Sequence, residues 1–477
     1  MIFGFKPYPS CKPSGVEWLG DVPEHWEVRR LGQVGRFFKG SGGTKADESR
    51  KGVPCIRYGD LYTQHQFFIT ESRSCVAVDL AASEYTPIKY GDVLFAASGE
   101  TMEDIGKSAV NLISTLAYCG SDVIVLRSFI EINARYIGYA ADCPASVQQK
   151  NLMGRGFTVI HIYPSKLKYL VISVPPLSEQ AAIADFLDHK TALIDRLIEK
   201  KKKLIMLLEE YKQAIIHQAV TGRIDVQTGQ PYPAYKPSGV EWLGDVPEHW
   251  QIMRLKLIVH QISKQDEKLQ EGLPYVALEN VESWTGRVTL NYTETIESKL
   301  KLFEKGDILF AKLRPYLAKV MRSKSRGQCV GEFLVLRTTD RLSPHFLEIL
   351  LRSKPVIDWI NSSTFGSKMP RTDWHFVGNT RLAVPSLPKQ ISIARFLDNA
   401  IADLYKIADR TKKQIELLQE YRTRLIADVV TGKIDVREAA AELQQMNSAA
   451  CGDEASSTLS EQHSLHIRSD HEHEETL

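Results

Sequence analysis

The 477-residue chain contains no Cys-x-x-Cys pair, and its seven cysteines are odd in number. That argues against a structural zinc site or a disulfide framework and suits a reducing compartment. No run of residues approaches the ~18 apolar positions of a membrane span, and the opening MIFGFKPYPS has no basic stretch followed by an apolar core. A soluble, cytoplasmic protein without a membrane partner is therefore expected. Catalytic signatures are also missing: there is no GxxxxGK[ST], no strand-linked GxGxxG, no HExxH and no GxSxG. The NPP[FY] tetrapeptide usual in amino-methylating DNA methyltransferases is absent as well. Asp60, Asp92, Glu100 and Asp104 could imitate the metal carboxylates of a nuclease, but the second half of the chain does not reproduce the set. No catalytic or metal-binding residues are assigned.

What is present is ordinary globular composition, 43% hydrophobic and 25% charged, at a length that suggests about three domains. The formal net charge of +2 conceals an acidic end, because residues 438–477 carry nine Asp or Glu against the single basic Arg468. The remaining body is moderately basic, which is compatible with a nucleic-acid partner. Residues 437–477 read as a disordered acidic tail. The histidines at 463, 466, 471 and 473 within it have no organised scaffold for a metal.

The chain is a tandem duplication. KPSGVEWLGDVPEHW occurs at Lys12–Trp26 and again at Lys236–Trp250, offset by 224; PPLSEQAAIADFLD at Pro175–Asp188 returns as PSLPKQISIARFLD at Pro385–Asp398, offset by 210. YKQAIIHQAVTGRIDV at Tyr211–Val226 likewise returns as YRTRLIADVVTGKIDV at Tyr421–Val436. The shared segments bracket two divergent regions. The organisation is a lead-in segment (1–26), a first domain (27–174), a central helix (175–226), a second lead-in (227–250), a second domain (251–384), a distal helix (385–436) and the tail. His25 and His249, next to Trp26 and Trp250, read as packed corner residues.

From Glu179 to Val220 there is neither proline nor glycine. Leu187, Ile194, Ile198, Ile205, Leu208, Ile215 and Ala219 keep alternating three- and four-residue steps, and Leu397, Leu404, Ala408, Ile415, Leu418, Leu425 and Val429 repeat them. One apolar seam per helix follows, interrupted at Lys201, Lys212, Thr411 and Arg422. Thr221-Gly222 and Thr431-Gly432 mark the stops. Two equal seams in one chain predict an antiparallel coiled coil. At 1.5 Å per residue each helix would run roughly 63 Å, a molecular ruler between two domains related by a pseudo-twofold axis, with the chain ends nearly closing a ring.

In the divergent domains a Gly-Asp turn enters a buried strand, Gly91–Ala96 and Gly306–Ala311, and each strand leads into a polar loop. The first loop carries Ser98, Glu100 and Lys107; its counterpart carries Lys312, Arg314, Tyr316 and Lys319. A helical patch follows, near Ile132–Ala141 and His345–Asn361, and then a second polar loop with Arg155 and Thr158, or with Ser367, Lys368, Arg371 and Thr372. Lys45 in Gly40–Lys45 adds a cation beside exposed backbone donors. Phosphates take Lys, Arg, Ser and Thr; base edges take bidentate Arg or Lys and carboxylates. Similar positions with different loop content suit two distinct DNA specificities. A duplicated enzyme and a coiled-coil adaptor that binds proteins are the rival readings.

These motifs, in this repeated order over about residues 8–436, resemble the specificity subunit of type I restriction-modification systems. The resemblance implies an α+β fold with two target-recognition domains joined by two long antiparallel coiled-coil helices in a pseudo-twofold repeat. It implies a non-catalytic subunit whose domains each read one half of a bipartite double-stranded DNA target. Half-site centres on one face of B-DNA would lie roughly 34 Å apart. Two methyltransferase subunits, which methylate adenine at N6, would dock on the helices, with Leu187, Ile194, Leu208, Leu397, Leu404 and Leu418 as candidate positions. Motor-nuclease subunits complete the implied complex. S-adenosylmethionine, ATP and Mg2+ would belong to these partners, with no cofactor in this chain.

Overall fold

The computed structural model describes residues 6–43, 45–49, 51–266, 268–289, 300–366 and 368–445. They form two compact units, one built from the first 199 residues together with the chain from Gln414 onward, the other from Lys200–Lys413.

In the first unit, β1 (Gly35–Lys39), β2 (Phe67–Ile69), β3 (Val93–Ala96), β4 (Ser108–Asn111) and β5 (Val123–Ser128) form a five-stranded sheet in the order β1-β5-β3-β4-β2. All pairings are antiparallel except β4 with β2. Helices α1 (Ala134–Asp142) and α2 (Pro144–Met153) follow. The long helix α3 (Leu177–Val220) then leaves the unit. The second unit repeats this frame with β6 (Val259–Ile262), β7 (Ile308–Ala311), β8 (Val320–Arg322) and β9 (Phe333–Thr338) in the order β6-β9-β7-β8. Helices α4 (Pro344–Arg352) and α5 (Lys354–Ser362) and the long α6 (Leu387–Val430) complete it. Strand registers pair Val93 with Leu126 and Ile308 with Leu336. The 210 offset of the connectors therefore already holds at the last strand of each sheet, while β3 and β7 stand 215 apart.

Each divergent domain is closed at its base. Glu27–Arg30 pairs antiparallel with Val171–Val174, and Gln251–Arg254 with Arg381–Val384, so each domain's first and last residues lie side by side. The fifteen-residue repeats fold alike, as hairpins Cys11–Pro13 with Asp21–Pro23 and Tyr235–Pro237 with Asp245–Pro247. Trp26 and Trp250 are fully buried behind them.

The seams pair as antiparallel helices within each unit. In the first, Ile183, Leu187, Ile194 and Ile198 of α3 share a core with Leu425, Ile426 and Val429 of α6. In the second, Ile216 and Ala219 of α3 share a core with Ile393 and Leu397 of α6. Two of the polar interruptions are accommodated by charge. Arg422 meets Asp195 at 3.0 Å, and the buried Lys212 meets Glu209 at 2.6 Å with its ammonium over the Tyr405 ring. This corrects the docking assignment made from the seam. Leu187, Ile194 and Leu397 are buried, and Leu418 is half-buried, in the cores formed by the chain's own helix pairing, and Leu208 and Leu404 are half-buried.

Invariant connector residues fasten each domain to its helix. Gln180 accepts from the Asn133 N–H (2.8 Å) and donates to the Pro175 carbonyl; Gln390 accepts from the Ser343 N–H (2.8 Å) and donates to the carbonyls of Arg341 and Pro385. Asp188 pairs with Arg135, and Asp398 with His345. One position inverts its charge between the copies. Glu179 accepts from Tyr8, His25 and Trp26 at 3.2, 2.6 and 2.9 Å, so His25 is a hydrogen-bonding residue and more than a packed corner. Burial, with Glu179 beside it, pushes the Tyr8 phenol up. Its counterpart Lys389 meets Asp225 at 2.6 Å instead, and Trp250 Nε1 and the Tyr232 hydroxyl meet no hydrogen-bond partner among the described residues.

Residues 437–445, assigned to the acidic tail from composition, are helical, with Ala440 buried in the first unit's core. Apolar Ala439, Ala440 and Leu443 on one face explain the difference. The histidine tract lies outside the described residues. Among the described residues no helix is long and apolar enough to cross a membrane.

Gly222 and Gly432 end the long helices at φ 76° and 75°. A Cβ on Gly432 would lie 2.2 Å from Pro23 Cδ, and one on Gly222 2.4 Å from Pro247 Cδ. Glycine here supplies both the left-handed turn and the close approach of a lead-in hairpin. Gly432→Ala is expected to destabilise the first unit by about 2 kcal/mol or more. Thermal melting checks this, and a melting curve superimposing on wild type would contradict it.

Candidate nucleic-acid interface

The Gly-Asp turn carries a clamp not recognised from the sequence. Asp92 accepts from its own turn at the Lys89 N–H (2.7 Å) and takes the Arg127 guanidinium at 2.9 and 2.6 Å. Asp307 does the same with the Glu304 N–H (2.8 Å) and with Arg337 at 2.8 and 2.7 Å. Both carboxylates are buried and hydrogen-bonded in bidentate fashion, the geometry that offsets desolvation best. The hydrogen bonds that Arg127 and Arg337 donate to Asp92 and Asp307 hold both arginines above their usual pKa. Each clamp locks the strand that delivers the first loop against its neighbour.

Beyond β3, Ser98–Gly99 pairs antiparallel with Ile160–His161, and Arg155 and His161 exchange two backbone hydrogen bonds at 2.9 and 2.7 Å. The two polar loops of the first domain are thus one structure, a hairpin spanning residues 155–161 laid beside the first loop. Beyond β7 the arrangement recurs. The Arg314 N–H donates to the Pro370 carbonyl (2.8 Å), the Thr372 N–H to the Lys312 carbonyl (3.1 Å), and Phe365 and Arg371 exchange backbone bonds at 3.3 and 3.1 Å. Arg314 and Ala318 take the left-handed conformation at φ 49° and 48°. For residues with a Cβ this costs roughly 1–2 kcal/mol each, strain of the kind found at recognition loops.

Of the positions named from sequence, Glu100, Arg155, Thr158, Arg314, Tyr316, Lys368 and Arg371 are exposed on these paired loops, with Lys312 half-buried. Arg371 is steadied by Glu332 at 3.1 Å. Lys45 is exposed on a separate turn, Lys45–Asp47, whose Asp47 accepts from Tyr85. Ser367 lies outside the described residues. Ser98 and Thr372 turn inward, which corrects their reading as DNA contacts, while Lys107 and Lys319 are half-buried and engaged within their domains. Ser98 is buried and shares a hydrogen bond with His161 Nδ1 (3.0 Å); Thr372 is buried beside Ser363. Lys107 meets Asp142 at 2.7 Å, and Lys319 donates to the Leu278 carbonyl at 2.7 Å. They build the loops, because short polar side chains at a loop base satisfy buried backbone and side-chain groups before they reach solvent.

The first loop ends on a buried ion network. Asp142 on α1 takes Lys107 at one oxygen and the fully buried Lys150 at the other (2.6 Å), and also accepts from the Ser108 N–H. Burial lowers the Lys150 pKa, and Asp142 opposes that shift. The second domain fills the position 210 residues after Lys150 with buried Ile360, so charge is not required by the frame. Sequence reasoning missed His161, Asp142 and Lys150. For His161 a signal existed, since the 210 offset carries it onto Arg371.

Two further observations bear on chemistry. Burial pushes the Cys55 thiol up to about 11 and the Cys329 thiol up to about 12, so neither supplies a thiolate near neutrality. Among the described residues no group of three or more His, Cys, Asp or Glu side chains could hold a metal ion.

With two copies of one frame and two different loop sets in view, comparison with known proteins is decisive. The family model for the type I restriction modification DNA specificity domain matches residues 23–207 and again 247–417. The chain belongs to this family. It is 26% identical over 280 residues to the type I restriction enzyme EcoDI specificity subunit of Escherichia coli, covering 55% of this chain and 61% of that protein. It is 24% identical over 441 residues to the MjaVIII specificity subunit of Methanocaldococcus jannaschii, covering 87% of this chain and 94% of the relative. The fold resembles a chain from work on complex assembly and conformational transition of the type I R-M system, with a TM-score of 0.63 at 14% identity over 87% of this chain and 99% of the other. It also resembles the HsdS subunit from Thermoanaerobacter tengcongensis, with a TM-score of 0.53 at 16% identity over 87% and 98%.

Asp142→Ala is expected to destabilise the first unit by about 3–5 kcal/mol, because it leaves Lys150 buried without a counter-charge. The double variant Asp142→Leu/Lys150→Met should recover most of that loss. Denaturant unfolding checks both, and equal losses in the single and double variants would contradict the assignment.

Proposed function

We propose that this chain is the non-catalytic DNA-specificity subunit of a type I restriction-modification complex, and that its two specificity domains read the two halves of a split duplex target. The observation that carries this is the repeated frame with unlike loops. Asp92–Arg127 and Asp307–Arg337 hold equivalent strands, yet the loops they deliver differ. Around Glu100 and Arg155 the first domain mixes signs, whereas Lys312, Arg314, Lys368 and Arg371 make the second strongly basic. Carboxylates accept from the cytosine amino group, and arginine or lysine donates to guanine or to phosphate.

The paired helices set the gap between half-sites in this reading, and their outer faces dock two methyltransferase subunits. Support comes from apolar side chains left exposed outside the seam, Leu193 and Leu197 in the first unit and Leu204, Leu207 and Tyr211 in the second. They repeat at helical spacing on α3. Isolated exposed leucines are common, but a stripe of them marks an interface. S-adenosylmethionine, ATP and Mg2+ belong to the methyltransferase and motor-nuclease partners in this proposal.

Exchange of residues 27–174 for the corresponding domain of another family member should change one half of the recognised sequence, while Arg314→Ala or Arg371→Ala should weaken binding through the other half by about 1–3 kcal/mol. Methylation patterns of the exchanged complex and duplex-binding titrations check these. Simultaneous change of both halves would contradict the modular reading. Leu204→Glu/Leu207→Glu should abolish co-purification with methyltransferase subunits at an unchanged melting temperature; retained co-purification would remove the stripe from the docking surface.

A further inference from the structure

The hairpin that each domain lays beside its first loop ends in exposed apolar side chains. Phe157 is 104% exposed, and Val159 beside it is also exposed. At the corresponding tip of the second domain Phe365 is 65% and Met369 54% exposed, with Tyr316 on the adjoining loop. The offset of 210 that aligns the connectors carries Arg155 onto Phe365, Val159 onto Met369, and Gly156 onto Gly366. Both glycines have positive φ, 132° and 91°. A Cβ on Gly156 would lie 2.1 Å from the Val159 carbonyl oxygen, so the first tip can turn only with glycine there.

These tips are held by their rails. In the first domain the Arg155 and His161 backbone bonds close the hairpin, the Ile162 N–H donates to the Ala97 carbonyl (2.9 Å), and Ile160 is buried directly behind the tip. The second tip is tied to its neighbouring loop through Pro370 and Arg371. Phe157 and Phe365 do not align under the 210 offset, but each puts a large apolar group on a braced hairpin, which is a preorganised contact. Its surroundings identify the occupant. Lys312, Arg314, Lys368 and Arg371 lie on the paired loops of the second tip, and the acidic Glu332 beside them is already paired with Arg371. Cations around an apolar point fit phosphates flanking a base surface, where apolar side chains pack on thymine methyls or on the faces of opened base steps.

We propose that Phe157 in the first domain, and Phe365 with Met369 in the second, are specificity-determining residues that read base surface by apolar contact, each within its own half-site. The proposal rests on the DNA-specificity reading above and adds residues to it that no polar-contact argument supplies.

The test is selection from a pool of randomised duplexes by the full chain co-expressed with its methyltransferase subunits, followed by sequencing. Phe157→Ala should flatten the preference at one or two adjacent positions in one half of the motif, with about 10-fold loss of discrimination there. The other half and the melting temperature should stay unchanged, and Phe157→Trp should retain the preference. Phe365→Ala/Met369→Ala should do the same in the other half. An undiminished motif for Phe157→Ala, or loss in both halves at once, would overturn the proposal. So would an unchanged motif accompanied by lost co-purification, which would make the tip a protein contact. If the wild-type chain enriches no motif, the specificity reading itself fails, a result distinct from a wild-type motif that the tip variants leave intact.

Discussion

Everything in each unit is fastened to the buried seam between the two long helices. A 44-residue helix with an apolar face cannot remain solitary in water, and in both units the start of one helix lies against the end of the other. The attachments are few and repeated. Gln180 and Gln390 stitch the short helices of the domains to the long ones, and the strand pair at the base of each domain brings its first and last residues together. Gly222 and Gly432 let the lead-in hairpins press against the helix ends. The Ser173 hydroxyl adds a direct bond to the Val430 carbonyl at 2.7 Å. A domain attached at its base and through its short helices can vary in its loops without disturbing the seam.

Charge is divided by the same logic. Buried charges are costly unless paired with good geometry, and the frame uses them where a fixed angle matters: Asp92 with Arg127, Asp307 with Arg337, and Asp142 with Lys107 and Lys150. Exposed charges sit on the paired loops and are free to differ. Replacement of the Lys150 position by Ile360 shows that the frame tolerates loss of an internal pair while keeping its shape. The inversion from Glu179 to Lys389 shows the same at the corner of the lead-in, where the surrounding Trp, His and Tyr are retained.

Much of the fold was legible because duplication compares the sequence with itself. The identical fifteen residues, the seam positions and the Thr-Gly stops each stand in the structure where periodicity and capping rules put them. Exposure on the loops was harder to read. Ser98, Lys107, Lys319 and Thr372 have the chemistry of DNA contacts, but their partners, His161, Asp142, the Leu278 carbonyl and Ser363, lie up to 63 residues away and cannot be inferred from local pattern. The docking positions failed for a different reason: apolar periodicity identifies a face without saying which partner covers it. Leu193, Leu197, Leu204 and Leu207 fall off the seam, and only the structure separates them from it.

The central claim is that two unlike readers share one chain and recognise a split target. Methylation mapping of the whole genome in cells that express the complete system tests this most directly, since it reports both halves and their separation together. The account predicts a motif of two specific segments, different in sequence, with one modified adenine in each and a non-specific gap of fixed length between them. A continuous motif, a palindrome read identically by both domains, or no chain-dependent methylation would contradict it.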